Sequence, residues 1–335
     1  MMLLTIIFGT VSASTVAVGV PGLTSQNANI NNPILGVNQA GSTEATQQFL
    51  NNLSNQYGIH WDREDIFWNG GTAWYNQLTE ANISIIAVLD YHSFQNSSWT
   101  IANWKSEVSL ALAQYPKIHV WEIWNEPDLP QYQSGYENGS AYNYYMMLKT
   151  AYPIIKAFNS SDVVLGLANT IINGGTQQTQ QTYQWAQQVW SYGAASYCDA
   201  VSLQLYTEMR YLMNYTFSFG LTMSQVVNIA LSSYESLTNK PIWIMETGMP
   251  SNNAATVPSP GNSLQKQAVF VDQMYTFLMS RHYIKAIMWF STFGSDNPKQ
   301  YDFGLFNSTS LAPKPALTFL ENFVRLENGT VSSTA

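Results

Sequence analysis

The chain has 335 residues, too many for one small module and enough for one large α/β barrel or two ordinary domains. Charged residues are only 10% of it, with 13 Lys and Arg against 21 Asp and Glu and a net charge of -8. Such a chain has no basic surface to hold a phosphate backbone, which excludes nucleic acid as a partner. Its one cysteine, Cys198, excludes an internal disulfide, a thiolate metal site and a redox pair. With 46% apolar residues, solubility must rest on uncharged polar side chains.

No Lys or Arg occurs before Arg63, residues 1–8 are apolar and 11–20 are small and apolar, so 1–26 is expected to be a signal peptide or a membrane anchor. A structural strand is the alternative, since the positive start of a signal peptide is missing. Asn-X-Ser/Thr sequons at Asn52, Asn82, Asn96, Asn138, Asn159, Asn214, Asn307 and Asn328 suit a secreted, glycosylated surface, with possible attachment to a cell surface through the N-terminus. From 27 to 327, β-rich apolar runs alternate with helical stretches. The strands are expected at 34–38, 59–68, 84–91, 118–124, 163–168, 200–206, 241–246 and 284–293. The clearest helices fall at 140–158, 181–197, 222–238 and 263–282, and 328–335 is a polar tail.

Links from helix to strand are short, such as Tyr115-Pro116-Lys117 and Asn239-Lys240, whereas links from strand to helix are long, as in 128–139, 169–180, 207–221, 249–262 and 295–301. A single-domain (β/α)8 TIM barrel has this asymmetry, because the loops at the C-terminal ends of its strands build the site. A doubly wound sheet is the competitor, but no Gly-rich phosphate loop follows the first strand. Functional residues should therefore end strands.

Two strand ends carry carboxylates. In Trp121-Glu122-Ile123-Trp124-Asn125-Glu126-Pro127, side-chain alternation puts Glu122, Trp124 and Glu126 on one face, and Pro127 stops the strand. In Pro241-Ile242-Trp243-Ile244-Met245-Glu246-Thr247-Gly248 an apolar strand again ends in one Glu. Either Glu alone reads as a local ion pair or helix cap. Together, in a chain so poor in charge, they suit glycoside hydrolysis, which needs a proton donor to the leaving oxygen and a second carboxyl at the oxocarbenium-like centre.

The Trp124-Asn125-Glu126-Pro127 and Ile244-Met245-Glu246-Thr247-Gly248 stretches resemble the two signatures of clan A glycoside hydrolases, in the style of the cellulase-like family 5 and of family 39. Residues 58–68 are similar to the clan's second-strand segment, and Asp302-Phe303-Gly304-Leu305-Phe306 with Pro313-Lys314-Pro315-Ala316 to its closing segment. The resemblance implies a (β/α)8 barrel, a retaining mechanism on β-linked sugars, and no cofactor or metal. It implies Glu126 as acid/base and Glu246 as nucleophile. By the same resemblance Arg63 keeps the nucleophile ionised, Asn125 bonds the sugar 2-hydroxyl, Tyr206 touches the nucleophile and Trp289 is a platform beneath the reacting sugar. His92 is a candidate cleft residue. The alternatives are an Arg63–Asp65 pair, a turn-forming Asn125, core aromatics and a loop histidine. Gln204 departs from the clan, where a histidine is frequent before the sixth-strand tyrosine.

Aromatic residues reach 14%, and Tyr132, Tyr136, Tyr211, Tyr215, Phe217 and Phe219 fall in the loops, as sugar subsites or as rings closing the loops on one another. The expected function is a secreted retaining hydrolase of β-linked oligo- or polysaccharide, an endo-β-glucanase of cellulase type. An exo-acting β-glycosidase and an inactive carbohydrate-binding surface protein are the alternatives. With 13 Lys and Arg and 4 His, the side-chain positive charge stays small even when every carboxyl is protonated, so tolerance of acid is expected.

Overall fold

The computed structural model describes residues 32–42, 45–67, 71–90, 100–129, 140–171, 176–207, 211–252, 261–295, 297 and 299–327. Eight parallel strands close in chain order into a barrel: β1 (Ile34–Asn38), β2 (Trp61–Asp65), β3 (Ser84–Leu89), β4 (Val120–Ile123), β5 (Val163–Ile171), β6 (Ala200–Leu205), β7 (Ile242–Thr247) and β8 (Ile284–Trp289). Around them run α1 (Gln47–Asn55), α2 (Ala73–Glu80), α3 (Ile101–Gln114), α4 (Ala141–Phe158), α5 (Thr176–Ser191), α6 (Met223–Thr238), α7 (Leu264–Met279) and α8 (Pro315–Glu327). The fold is the expected (β/α)8 TIM barrel.

Uncharged caps start the helices. Thr46, Thr100, Ser140, Thr222 and Ser263 each accept a hydrogen bond from the backbone N–H three residues on, and Thr222 with Gln225 closes a capping box. The helix expected at 181–197 is instead α5 followed by a 3-10 turn (Ala194–Tyr197), because Gly193 at φ 95° breaks the ladder between them.

Two apolar layers result. The outer one lies between strands and helices; the inner one fills the bore with Ile34, Ile86, Val120, Val163, Leu165, Ala200, Trp243, Met245, Ala286 and Met288. Gly36 is required there, since a Cβ would lie 2.4 Å from the Trp61 carbonyl oxygen and 2.6 Å from Met288 Sδ. Towards the C-terminal ends of the strands the bore turns polar: Asn38, Arg63, Glu122, Gln204 and Glu246 replace the apolar side chains.

Three irregularities aim those polar groups. The extra residue Ala168 on β5 shifts its register against β6 between Leu167 and Asn169, and both Leu167 and Ala168 have positive φ. On β7, Ile244 pairs with Leu203 but Glu246 pairs with Gln204, so Met245 is the extra residue. Met245 already lies in the bore cluster, and simple alternation would turn Glu246 outwards; the bulge turns it in. Beyond β4, Trp124 and Glu126 take φ 71° and 46°. The face expected to be shared by Glu122, Trp124 and Glu126 is therefore not formed: Trp124 lies in the outer core against Trp104 of α3, with ring centroids 6.3 Å apart. Glu126 reaches the rim through the turn instead.

Behind β2, two carboxyls share one small space. Both Asp62 oxygens accept from the Ala40 N–H at 3.1 Å, and Glu64 Oε1 accepts from the Gly41 N–H at 2.5 Å. Burial raises Asp62 to about 6, against hydrogen bonds from Glu64 and from backbone groups. Glu64 is raised well above its ordinary value by burial and by the charge of Asp62. Their folded pKa values exceed the unfolded ones of about 3.9 and 4.3. The stabilisation is thus fully present below about pH 4 and is lost as pH rises through 6 and beyond. Melting temperatures followed by circular dichroism should fall between pH 4 and pH 7, and Glu64→Gln should flatten that slope; an unchanged slope would refute the raised pKa of Glu64.

Candidate active site

The polar end of the bore is built around one guanidinium. Arg63, on β2 and only 4% exposed, donates from Nε to Glu122 Oε2 at 2.5 Å and from Nη1 to Glu246 Oε1 at 2.8 Å. Nη1 also reaches Asn38 Oδ1 at 3.2 Å, and Nη2 reaches Asn125 Oδ1 at 2.9 Å. Burial acts to lower the Arg63 pKa, but the charges of Glu122, Glu246 and Asp65 outweigh it and keep the group protonated. Asn38 ties this fork to two more strands by donating to the carbonyls of Met245 at 3.1 Å and Trp289 at 3.2 Å.

Glu246 receives a second donor. The Tyr206 hydroxyl, just past β6, donates to Oε2 at 2.6 Å, so each carboxylate oxygen has its own fixed partner. Burial and then the Glu246 charge push the Tyr206 pKa up, which keeps that proton on the phenol. Gln204 completes the wall, donating to Glu122 Oε1 at 3.2 Å and standing 3.5 Å from Asn125 Oδ1. It takes the position where a histidine is frequent in the clan, and as an amide it donates here without a charge.

Glu126 is held differently. Its N–H donates to the Ala168 carbonyl at 3.0 Å and its carbonyl accepts from the Leu129 N–H at 3.0 Å. Burial, then the charges of Glu246 and Asp128, raise its pKa to about 8; the Thr170 hydroxyl and Arg63 pull weakly the other way. Glu126 and Glu246 are both 7% exposed. One rim thus carries a protonated carboxyl and, across from it, a carboxylate gripped at both oxygens, the division of labour that acid-assisted displacement requires.

A family model described as glycosyl hydrolase catalytic core matches residues 98–316, more than half of the chain and both carboxyl strand ends. The chain belongs to this glycosyl hydrolase family. No curated protein sequence matches it. Among solved structures it is similar to a family 39 glycoside hydrolase from the gut symbiont Bacteroides cellulosilyticus WH2, with TM-score 0.65, 17% identity, and 89% of this chain covered. This glycosyl hydrolase spans 64% of that chain. It is similar also to a GH5_18 protein from Streptomyces cattleya solved in complex with GlcNAc (TM-score 0.63, 13% identity, 91% of this chain and 82% of that one). A third is a monomeric beta-xylosidase from Caulobacter crescentus CB15 (TM-score 0.59, 15% identity, 87% and 67%). At these identities the likeness is one of fold.

Of the residues singled out in the sequence, Arg63, Asn125, Glu126, Tyr206 and Glu246 converge on this rim, and Arg63 bonds Glu246 rather than only its strand neighbour Asp65. His92 and the loop aromatics Tyr132 and Tyr136 lie outside the described residues. Trp289 is not a platform: it is 0% exposed, packs against Phe270 of α7 and donates its indole N–H to the Phe303 carbonyl at 3.0 Å. Strand alternation explains this, since Met288 takes the bore side of β8 and leaves Trp289 to the outer core. The next residue, Phe290, is partly exposed and meets Tyr206 edge-on at 6.4 Å, as Phe303 does at 5.9 Å, so these rings reach the site. The other loop aromatics pair among themselves, Tyr211 on Tyr215 at 4.0 Å and Phe217 on Phe219 at 4.9 Å.

Glu122, Asn38 and Phe290 were not singled out. Glu122 was legible as a lone charge inside an apolar strand; Asn38 and Phe290 gave no signal. Among the described residues no group of three or more His, Cys, Asp or Glu is placed to hold a metal ion.

Arg63 fills four acceptors at once, which an ammonium cannot imitate. Arg63→Lys should lower kcat/KM at least about 100-fold, and Arg63→Met should cost about 3–5 kcal/mol of stability by stranding Glu122. Steady-state kinetics and urea unfolding read the two effects; wild-type values in both would contradict the central role of the guanidinium.

Proposed function

We propose that the protein is a secreted retaining hydrolase of β-linked polysaccharide, with an endo-β-glucanase of cellulase type as the first substrate reading. The observation that carries the mechanism is the pairing of a doubly gripped Glu246 with a Glu126 whose carboxyl keeps its proton up to about pH 8. Glu126 gives that proton to the glycosidic oxygen as the bond to the anomeric carbon breaks, and a Glu246 oxygen forms the new bond to that carbon. Glu126, now a carboxylate, takes a proton from the water that releases the sugar and regenerates Glu246. Asn125, held by Arg63, presents its amide to a substrate hydroxyl at the same rim.

The substrate class rests on charge. Outside the central charges the chain offers few cations, and a neutral sugar polymer needs only hydroxyl partners and ring faces. An exo-acting β-xylosidase is the second reading, supported by the fold shared with the Caulobacter protein. Secretion rests on the sequence of the N-terminal segment, which lies outside the described residues, as does any membrane attachment through it; among the described residues no helix is long and apolar enough to cross a membrane. Acid tolerance rests on the small charge count and on uncharged helix caps.

Four measurements bear on this reading. Proton NMR of the first product from a β-linked substrate should show the β-anomer; the α-anomer would rule out double displacement. Glu246→Gly should be nearly inactive on all substrates and regain turnover with azide, whereas Glu126→Ala should retain far more activity on activated aryl glycosides than on polysaccharide. For the wild type, kcat/KM on poor leaving groups should fall as pH rises through about 8, where Glu126 loses its proton. A panel of glucan, xylan, mannan and aryl glycosides assigns the sugar.

A further inference from the structure

Two residues beyond Glu126 stands a carboxyl that the mechanism above does not use. Asp128 Oδ1 accepts from the Thr170 N–H at 3.2 Å, and its Oδ2 is buried with no hydrogen-bond partner. Glu126 itself donates its N–H to the Ala168 carbonyl at 3.0 Å, so the rim turn is fastened to the bulged end of β5 at both ends, once by backbone and once by this side chain. The fastening points are those that the bulge displaced: Ala168 is the extra residue, and Thr170 is brought level with Gln204 on the site side. A carboxyl left with an unsatisfied buried oxygen is a costly way to make one backbone contact, which an asparagine would make without a charge. That cost points to a use for the charge.

We propose that Asp128 is a positioning residue that bolts the Glu126 turn to β5 and, when ionised, presses a negative charge on Glu126 that delays the loss of the acid's proton. The inference rests on the glycosidase reading for its purpose and on the rim geometry for its content. The groups facing each carboxyl are consistent with it. Glu126 is faced by Glu246 of β7, Arg63 of β2, Tyr206 beyond β6 and Asp128 of its own turn. Among the described residues Asp128 is faced by Glu126 and by Tyr234 of α6. Burial raises Asp128 to about 7, and burial with the charges of Glu246 and Asp128 raises Glu126 to about 8, so the two titrate in one range and the charge of Asp128 bears on the loss of the Glu126 proton. A second function follows for the turn: it carries the acid and also the group that sets the upper pH limit of that acid.

The two roles separate in two variants. Asp128→Asn keeps an oxygen for the Thr170 N–H and removes the charge; Asp128→Ala removes both. On a substrate with a poor leaving group, Asp128→Ala should lower kcat about tenfold at pH 5 with KM unchanged, and Asp128→Asn should recover most of that loss. Both should move the alkaline limb of kcat/KM down by about one pH unit. A purely structural residue would not move the limb in the asparagine variant. Carbon-13 NMR titration of the Glu126 carboxyl, in wild type and Asp128→Asn, reads the same shift without any substrate. If the wild type cleaves no glycoside, the glycosidase reading falls while this titration still decides the inference. It decides it equally if Asp128→Ala does not fold. A Glu126 midpoint unchanged in Asp128→Asn would overturn the proposal, as would a wild-type kcat for a folded Asp128→Ala.

Discussion

The Arg63 guanidinium gives up nearly all of its water on entering the barrel, and its five N–H groups must find acceptors there. Side chains from β1, β4 and β7 and from the turn beyond β4 supply acceptors for four of them: Glu122 takes Nε, Glu246 and Asn38 share Nη1, and Asn125 takes Nη2. The polar end of the bore is organised by this requirement. One cation is already divided between Glu122 and Glu246, so Glu126, arriving at the same rim, is pushed up first by its burial and then by the charge of Glu246.

A second constraint is steric. The bore of a closed eight-stranded barrel is packed with side chains, and here Trp61 and Met288 lie close enough to Gly36 that no Cβ fits. Chemistry cannot sit in that layer. It is displaced to the strand ends, where left-handed residues and extra residues change the direction of the chain: Trp124 and Glu126 after β4, Leu167 and Ala168 in β5, Met245 in β7. The caps on five helices are uncharged and hold their hydrogen bonds without a titrating group.

Much of this was legible in the residues. Period and loop length disclosed the barrel, because short returns and long outgoing loops are a consequence of the fold itself. Glu126 and Glu246 stood out because so few charges surround them in the sequence. What alternation could not disclose was direction at the strand ends. A regular strand sends Trp124 to the site and Glu246 away from it, and the protein does the reverse through one left-handed residue and one bulge. Trp289 was misplaced for the complementary reason: β8 keeps its alternation there, so the ring falls on the helix side and its neighbour Phe290 reaches Tyr206. Asn38 was invisible because its role depends on β1 closing against β8, a contact 251 residues away in the chain.

The extra residue in β7 makes the site depend on counting. Every side chain N-terminal to Met245 packs according to one parity and Glu246 according to the other, so the strand stores its chemistry as an odd residue rather than as a special sequence. Side chains in the lower barrel can drift among apolar types without disturbing the carboxylate. A lineage whose substitutions let Met245 pair with Gln204 would have a regular strand that turns the same glutamate into the helix layer. Such a lineage would keep the barrel and lose the reaction in one step, with both motifs still readable in its sequence.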